Sequence, residues 1–328
     1  MKRQLIRILL LVLVSASCRD SQNLTPSFDP YKEHTTELQN VVYRNKLSFG
    51  LGVSEYIPLE KYGYKDPCFN PNNPYQIAYI RRRQDSIFGC KHELHTFDFE
   101  TGLSRKLANN VCAYSAWSRK DWIAFWGADY HIWKVKPNGD SLQRLSTYPS
   151  AQSRFEWSPD GSKLLGQQGQ TAYIFDLNGQ NLFRSNEYSV PMNWVDNDNI
   201  LVGWAPRGLG IAVLNIYSRD FQQVFYSPIS RSLFHNLLQM ETYSVTPTEP
   251  EKYLVKIDIP NSKIDTIKRI YSSFRPARGD YHPKTNKAVL AYHIYNIKDS
   301  LYDQLYFRNQ LVLYDLASGK EMQIIIPE

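Results

Sequence analysis

Residues 155–165 constrain the fold more than any other stretch of the chain. They read as a strand that ends in Trp157, a tight turn on Pro159-Asp160-Gly161, and a second strand that leaves in the opposite direction. A third strand over residues 171–177, a hairpin turn at Asn178-Gly179 and a fourth strand over residues 181–184 complete a four-stranded meander. A sheet of this size cannot bury both faces by itself, so the pattern predicts further copies that stack against it.

The hairpin between the third and fourth strands recurs along the chain. Each copy is an apolar alternation followed by a polar residue and a turn rich in Gly, Asn or Ser, and the six copies align on Asp98, Lys136, Asp176, Asn215, Asp258 and Asp315. The steps between them are 38, 40, 39, 43 and 57 residues. All but the last step are close to the roughly 40–45 residues of a propeller blade.

A second sequence feature recurs with the same spacing as these hairpins. It is an aromatic residue, followed by a turn, at the end of a first strand, and we call it the aromatic mark. It occurs at Phe69, Trp117, Trp157, Trp194 and Tyr281, and in the fifth unit it is reduced to Phe234-His235-Asn236. Few segments carry a helical apolar period, so the class is all-β. We predict a six-bladed β-propeller of four-stranded antiparallel blades over residues 46–328. A β-sandwich with coincidental hairpins is the alternative.

The intact repeat Trp157-Ser158-Pro159-Asp160-Gly161 resembles that of the TolB-type six-bladed β-propeller. The resemblance covers about residues 60–328 and implies the architecture rather than a function. The segment ahead of the blades is short for the N-terminal domain of TolB, so we do not carry over that family's partner-binding role. The ring is expected to close either through residues 41–43 joining the last blade or by direct contact between blades.

Residues 1–17 have the basic start, short apolar run and small residues of a secretory signal. Cys18, which follows Ala16-Ser17, resembles the lipidated cysteine of bacterial lipoproteins. This resemblance implies an exported protein held to the membrane of the bacterial cell envelope, in the outer membrane or on the periplasmic face, through a lipid at Cys18. Simple secretion is the alternative. Residues 18–45 are polar, and we interpret them as a lipidated tether.

The charge balance argues against nucleic acid as a partner. Removal of residues 1–17 takes away Lys2, Arg3 and Arg7 and no acidic residue, so the net charge falls from +6 to +3. Phosphate binding needs clustered positive charge, which a chain of this size and balance does not indicate.

In a propeller ring, the loops that enter the first strands and those that join the second strands to the third meet on one face. The residues of this candidate ligand face are Arg82, Trp126, Tyr130, Arg154, Arg207, Arg275, Arg278 and His293. Several guanidinium groups around a funnel would suit a carboxylate or a phosphate, which Arg can bind with two hydrogen bonds. The alternative is that these arginines simply point into solvent from exposed loops.

Three cysteines remain once Cys18 is assigned to lipidation. Cys90 falls in a loop between a second and a third strand and Cys112 just before the next first strand, so both belong to the candidate face. We expect a disulfide between them, with Cys68 buried and free. The alternative is that all three are small core residues.

No motif points to a metal, a cofactor or a reaction. His92 and His95 flank Glu93, but their spacing in a strand places them on opposite sides, and the run Asp196-Asn197-Asp198-Asn199 stands where a hairpin turn is due. No nucleophile elbow or phosphate-binding glycine loop occurs, so we predict neither metal nor cofactor.

Together these features predict a non-catalytic envelope lipoprotein whose propeller face binds a protein, a peptide or a glycan. One alternative is an envelope lyase or hydrolase that acts on acidic saccharides with the arginines and His293 or His235. Another is a structural component of an envelope complex.

Overall fold

The structure is a computed structural model that describes residues 62–83, 90–146, 155–168, 171–185, 191–204, 210–226, 241–245, 252–261, 263–270, 279–294, 308–318, 321–324 and 326. The predicted signal peptide, Cys18, the tether and residues 41–43 lie outside these ranges. Where the chain is described it is all β. No helix in those ranges is long and apolar enough to cross a membrane.

The first three blades follow one another along the chain. Blade 1 consists of β1 (Tyr62–Asn70), β2 (Asn73–Arg83), β3 (His92–Asp98) and the first half of β4 (Ser104–Trp117). Blade 2 consists of the second half of β4 with β5 (Ile123–Gly127), β6 (Ile132–Val135) and β7 (Gln143–Arg144). Blade 3 consists of β8 (Phe155–Trp157), β9 (Lys163–Gln168), β10 (Thr171–Asp176) and β11 (Asn181–Ser185).

The next three blades repeat the arrangement. Blade 4 consists of β12 (Pro191–Trp194), β13 (Asn199–Trp204), β14 (Gly210–Asn215) and β15 (Phe221–Tyr226). The described strands of blade 5 are β16 (Glu241–Val245), β17 (Lys252–Asp258) and β18 (Lys263–Ile270). Blade 6 consists of β19 (Gly279–His282), β20 (Lys287–Ile294), β21 (Arg308–Asp315) and β22 (Glu321–Ile324).

Every blade is an antiparallel meander, so the predicted all-β, six-bladed propeller is confirmed. Within each sheet the strands lie in chain order, and β4 joins the first two blades into one seven-stranded sheet because its two halves pair with different neighbours. The reduced aromatic mark at Phe234 lies outside the described residues. Asp258, which aligns with the residues that end the other third strands, ends β17, so the three described strands of blade 5 are its second, third and fourth.

The hydrophobic core lies between blades rather than inside any one of them. Ile80 and Leu94 of blade 1 pack with Ile123 and Phe125 of blade 2, and equivalent clusters join blades 2 and 3, blades 3 and 4, and blades 4 and 5. Full burial of one such side chain contributes about 1.5–3 kcal/mol. Because each sheet buries its faces only against its neighbours, a single blade has no complete core of its own.

The aromatic marks hold neighbouring blades together. The indole N–H of Trp157 donates to the carbonyl of Ala116 at 3.0 Å, and that of Trp194 donates to the carbonyl of Glu156 at 2.9 Å. In both pairs the acceptor directly precedes the aromatic mark of the previous blade. In blades 3 and 4 the mark therefore links one first strand to the next.

The turns after the first strands also touch from blade to blade. Ser118 Oγ donates to the carbonyl of Gly161 at 3.0 Å, and the Asp160 N–H donates to Asn197 Oδ1 at 2.9 Å. Gly161 has φ +71°, and a Cβ there would meet the backbone nitrogens of Arg119 and Lys120 at 3.0 Å. Glycine is thus needed both for the left-handed backbone and for the close approach.

Except at Lys136 of blade 2, the polar residue at the end of the third strand closes the following hairpin with its side chain. Asp98 Oδ1 accepts the N–H groups of Glu100 and Thr101, and Asp176 Oδ1 accepts those of Asn178 and Gln180. Side chains of Asp and Asn favour turns for this reason. The predicted turn at residues 196–199 is also confirmed, since Asp196 Oδ1 accepts the N–H groups of Asp198 and Asn199.

Blade 1 packs directly on blade 6 and so closes the ring. Tyr79 and Phe97 of blade 1 share a buried cluster with Val289 and Leu311 of blade 6. The Phe69 N–H donates to Asp280 Oδ2 at 2.8 Å across the same seam. Direct contact between blades, one of the two expected forms of closure, is therefore present among the described residues.

Candidate functional site

The described residues of the candidate face lie where blades 1 and 2 meet. This is the end of the ring opposite the turns that follow the first strands, such as Trp157-Ser158-Pro159-Asp160-Gly161. The start of β1, the end of β2 and the start of β3 lie at this end because the strands are antiparallel. We call the following residues the rim: Lys65, Asp66, Arg82, Cys90, His92, Cys112, Tyr114, Trp126 and Tyr130.

The first strands of blades 1 and 2 both bulge at the rim. Pairing is interrupted between Lys65 and Cys68 in β1 and again on either side of Ala113 in β4. Asp66 has φ +49° and Tyr114 has φ +56°, so two residues with side chains occupy the left-handed region at adjacent positions of the ring. Bulges and strained backbone of this kind are concentrated beside functional sites.

The two bulges are fastened to each other. The Tyr114 N–H donates to Asp66 Oδ2 at 3.0 Å, and Ser115 Oγ donates to the carbonyl of Asp66. Lys65 Nζ donates to the carbonyl of Cys112 in the same region. Side chains that project from these bulges are thus held on a rigid base.

A disulfide joins Cys90 to Cys112 in the structure, which places a covalent link across the rim. Cys68 is buried and free. Burial raises the pKa of the Cys68 thiol well above its ordinary value, so this cysteine carries no thiolate at neutral pH.

His92 is the most unusual polar residue of the rim. His92 is only 6% exposed, and its Nδ1 has no hydrogen-bond partner among the described residues. Burial and the positive charges of Lys65 and Arg82 lower its pKa to about 3, against the opposing effect of Asp66. The imidazole is therefore neutral at physiological pH.

Trp126 and Tyr130 form an aromatic pair on blade 2, with ring centroids 5.4 Å apart. Tyr130 is 54% exposed and has φ +63°, in a short loop closed by its N–H bond to the Gly127 carbonyl at 3.0 Å. Trp126 is buried, and its indole N–H has no partner in the described part of the chain. An exposed ring held by a strained loop above a buried one is a suitable platform for an apolar or sugar surface.

A second polar cluster occupies the other face of blade 1. Arg81 donates two hydrogen bonds to Glu93 Oε2, at 2.7 and 3.0 Å, and His95 Nε2 lies 3.1 Å from the same oxygen. Burial raises the pKa of Glu93, but the bonds from Arg81 and His95 outweigh it and lower the pKa to about 2. This cluster is a satisfied ion pair, and within the described ranges no group of three or more His, Cys, Asp or Glu residues is placed to hold a metal ion.

The structure places only part of the predicted ligand face. Arg82, Trp126 and Tyr130 lie on the rim together with Cys90 and Cys112. The side chains outside the described residues are those of Arg154, Arg207, Arg275, Arg278 and His293, although the backbone of His293 belongs to β20.

Sequence reasoning did not select Lys65, Asp66 or His92 as part of this face. A signal for the first two was present, because Asp66-Pro67 lies inside a strand and proline within a sheet marks an edge or a bulge. His92 was considered only as a metal ligand. Its position beside Arg82 depends on strand register, which the pattern of one strand does not reveal.

The described geometry defines a β-propeller with a structured rim, and solved structures support this class. The β-propeller domain of the Trilobed protease from Pyrococcus furiosus matches with a TM-score of 0.52 and 15% identity, over 81% of this chain and 98% of that one. A protein assigned as TolB from Agrobacterium tumefaciens matches with a TM-score of 0.50 and 12% identity, over 70% of this chain and 86% of that one.

The chain spans about half (54%) of the TolB from Acinetobacter baumannii, with a TM-score of 0.39 and 11% identity. No protein-family model matches the chain, and no curated protein matches its sequence. At these identities the likeness shows the fold alone, which TolB proteins share with a domain of a protease.

Proposed function

We propose that this protein is a non-catalytic binding module of the bacterial cell envelope, whose rim receives a protein, a peptide or a glycan. The observation that carries the proposal is the exposed Tyr130 ring, held in left-handed backbone against Trp126 on a rigid blade. An aromatic side chain held in this way loses little conformational entropy when a partner packs on it.

The bonding of the rim favours recognition over catalysis. Asp66 accepts the Tyr114 N–H, Lys65 donates to the Cys112 carbonyl, and His92 is buried and neutral. General acid–base catalysis needs a titratable group that can exchange a proton with the substrate near the working pH. The saccharide lyase or hydrolase alternative relies on His293 or His235, whose side chains lie outside the described residues.

The envelope location rests on the sequence alone. We propose that the signal at residues 1–17 exports the chain and that a lipid at Cys18 holds it to the membrane, with residues 18–45 as the tether. Metabolic labelling with a fatty-acid analogue tests this step. Label should appear in the wild-type protein and be absent from Cys18→Ala.

Affinity capture from detergent-solubilised membranes tests the binding role. Wild-type protein is compared with Tyr130→Ala and with Tyr217→Ala, which removes a 63% exposed tyrosine from a hairpin turn at the other end of the ring. A stoichiometric partner that is lost with Tyr130→Ala and kept with Tyr217→Ala supports recognition at the rim. Capture that neither substitution changes favours a structural role in a complex instead.

A further inference from the structure

Three nitrogen-bearing side chains converge on one side of blade 1 at the rim. Arg82 follows Ile80 by two residues in β2, and His92 precedes Leu94 by two in β3. Since side chains alternate along a strand, Arg82 and His92 lie on the side that Ile80 and Leu94 present to blade 2. Lys65 is the cross-strand partner of Ile80 and lies on that side as well.

Strand register brings two of these residues next to each other. Arg81 pairs with Glu93, and both Arg82 and His92 lie one residue beyond that pair toward the rim. In antiparallel strands such neighbours have Cβ atoms about 4.5–5.5 Å apart. A guanidinium and an imidazole therefore occupy adjacent positions at the seam between the two blades.

The buried Nδ1 of His92 is a second and independent observation. Buried polar atoms are nearly always hydrogen-bonded, and an exception in a folded protein calls for a ligand, an ion or a structural reason. No side chain or backbone group in the described part of the chain satisfies this nitrogen. Its surroundings favour an anion, because Lys65 and Arg82 contribute two positive charges and Asp66 one negative charge.

We propose that Lys65, Arg82 and His92 form a subsite that binds an anionic group of the ligand, a carboxylate or a phosphate, at the seam between blades 1 and 2. This proposal rests on the binding role proposed above and specifies the chemistry of its partner. Arg82 binds the anion through its guanidinium, His92 donates its Nδ1–H, and Lys65 supplies charge from its place on β1.

The test uses the full chain, purified in detergent and labelled with nitrogen-15 in its histidines. The His92 imidazole resonances are assigned by comparison with His92→Gln and then followed while inorganic phosphate or glucuronate is added at fixed ionic strength. We expect one of these anions to shift the His92 signals in a saturable manner. Phosphate as the stronger ligand would indicate a phosphorylated partner, and glucuronate a carboxylate such as a uronic acid or an acidic side chain.

Arg82→Gln and Arg105→Gln provide the matched comparison. Both remove one positive charge from blade 1, but Arg105 is exposed on β4 and pairs with Thr96, four residues along β3 from His92. Arg82→Gln should weaken anion binding about tenfold, the effect of losing a charge-assisted hydrogen bond, and Arg105→Gln should leave it within about twofold. Equal melting temperatures would show that both variants are folded.

The subsite is overturned if neither anion shifts the His92 signals, or if the two arginine variants weaken binding equally. These failures are distinct from failure of the binding role. Partner capture that depends on Tyr130 without any anion effect at His92 would remove the subsite alone. An anion effect at His92 without Tyr130-dependent capture would leave the subsite in place and remove the proposed partner surface.

Discussion

Substitution of Gly161 by alanine should lower the free energy of unfolding by more than the cost of placing alanine in left-handed backbone. Gly161 has φ +71°, and a Cβ there would lie 3.0 Å from the backbone nitrogens of Arg119 and Lys120 in the turn of the neighbouring blade. Left-handed backbone costs alanine about 1 kcal/mol. The displaced turn would also lose the bond from Ser118 Oγ to the Gly161 carbonyl, worth about 1 kcal/mol, so we expect a total loss of about 2 kcal/mol.

Gly102 supplies the matched control, because it has φ +68° but a Cβ there would have no atom of the described residues within 4 Å. Gly102→Ala should therefore cost only the backbone share, about 1 kcal/mol. Urea unfolding followed by tryptophan fluorescence gives both free energies. If Gly161→Ala costs no more than Gly102→Ala, the turns of neighbouring blades do not pack as described, and our explanation of the repeated glycine is wrong.

Three further predictions follow from the same structure. Trp157→Phe should cost about 1–2 kcal/mol more in urea unfolding than Trp117→Phe, because the indole N–H of Trp157 has a partner to lose and that of Trp117 has none among the described residues. Equal losses would refute the link between first strands. Burial raises the pKa of Asp98, but hydrogen bonds from Gln76 and Thr101 outweigh it, so its folded pKa is lowered. The stability that Asp98 contributes should be present above the ordinary Asp pKa of about 4 and be lost as the pH falls through the folded value, and Asp98→Asn should flatten that decline in urea midpoints. Mass spectrometry of the non-reduced digest should find Cys90 linked to Cys112, and an alkylated free Cys112 would exclude the disulfide.

The architecture could be predicted because the residues that repeat act locally. Asp98 and Asp176 close their own hairpins, and Trp157 and Trp194 end the first strands of consecutive blades. Each of these roles depends on a few neighbouring positions, so spacing along the chain was enough to locate them. The shared strand β4 was not foreseen, since its continuity depends on how one strand pairs on both sides.

The rim was predicted less completely than the fold. Loop positions in a propeller placed Arg82, Trp126 and Tyr130 together at one end of the ring, and their role in ligand binding stays a prediction. The bulge at Asp66 and the burial of His92 depend on contacts between blades, with Tyr114 and with Arg82. A sequence pattern reports the period of a strand but not the place where two strands lose register.

A photo-crosslinking amino acid at Tyr130 tests the central claim that the rim is the partner-binding surface. The same group placed at Tyr217, which is exposed at the opposite end of the ring, is the control. After irradiation of intact cells, we expect a discrete crosslinked product from position 130 and none from position 217. Crosslinking from position 217 alone, or the same products from both positions, would contradict the account.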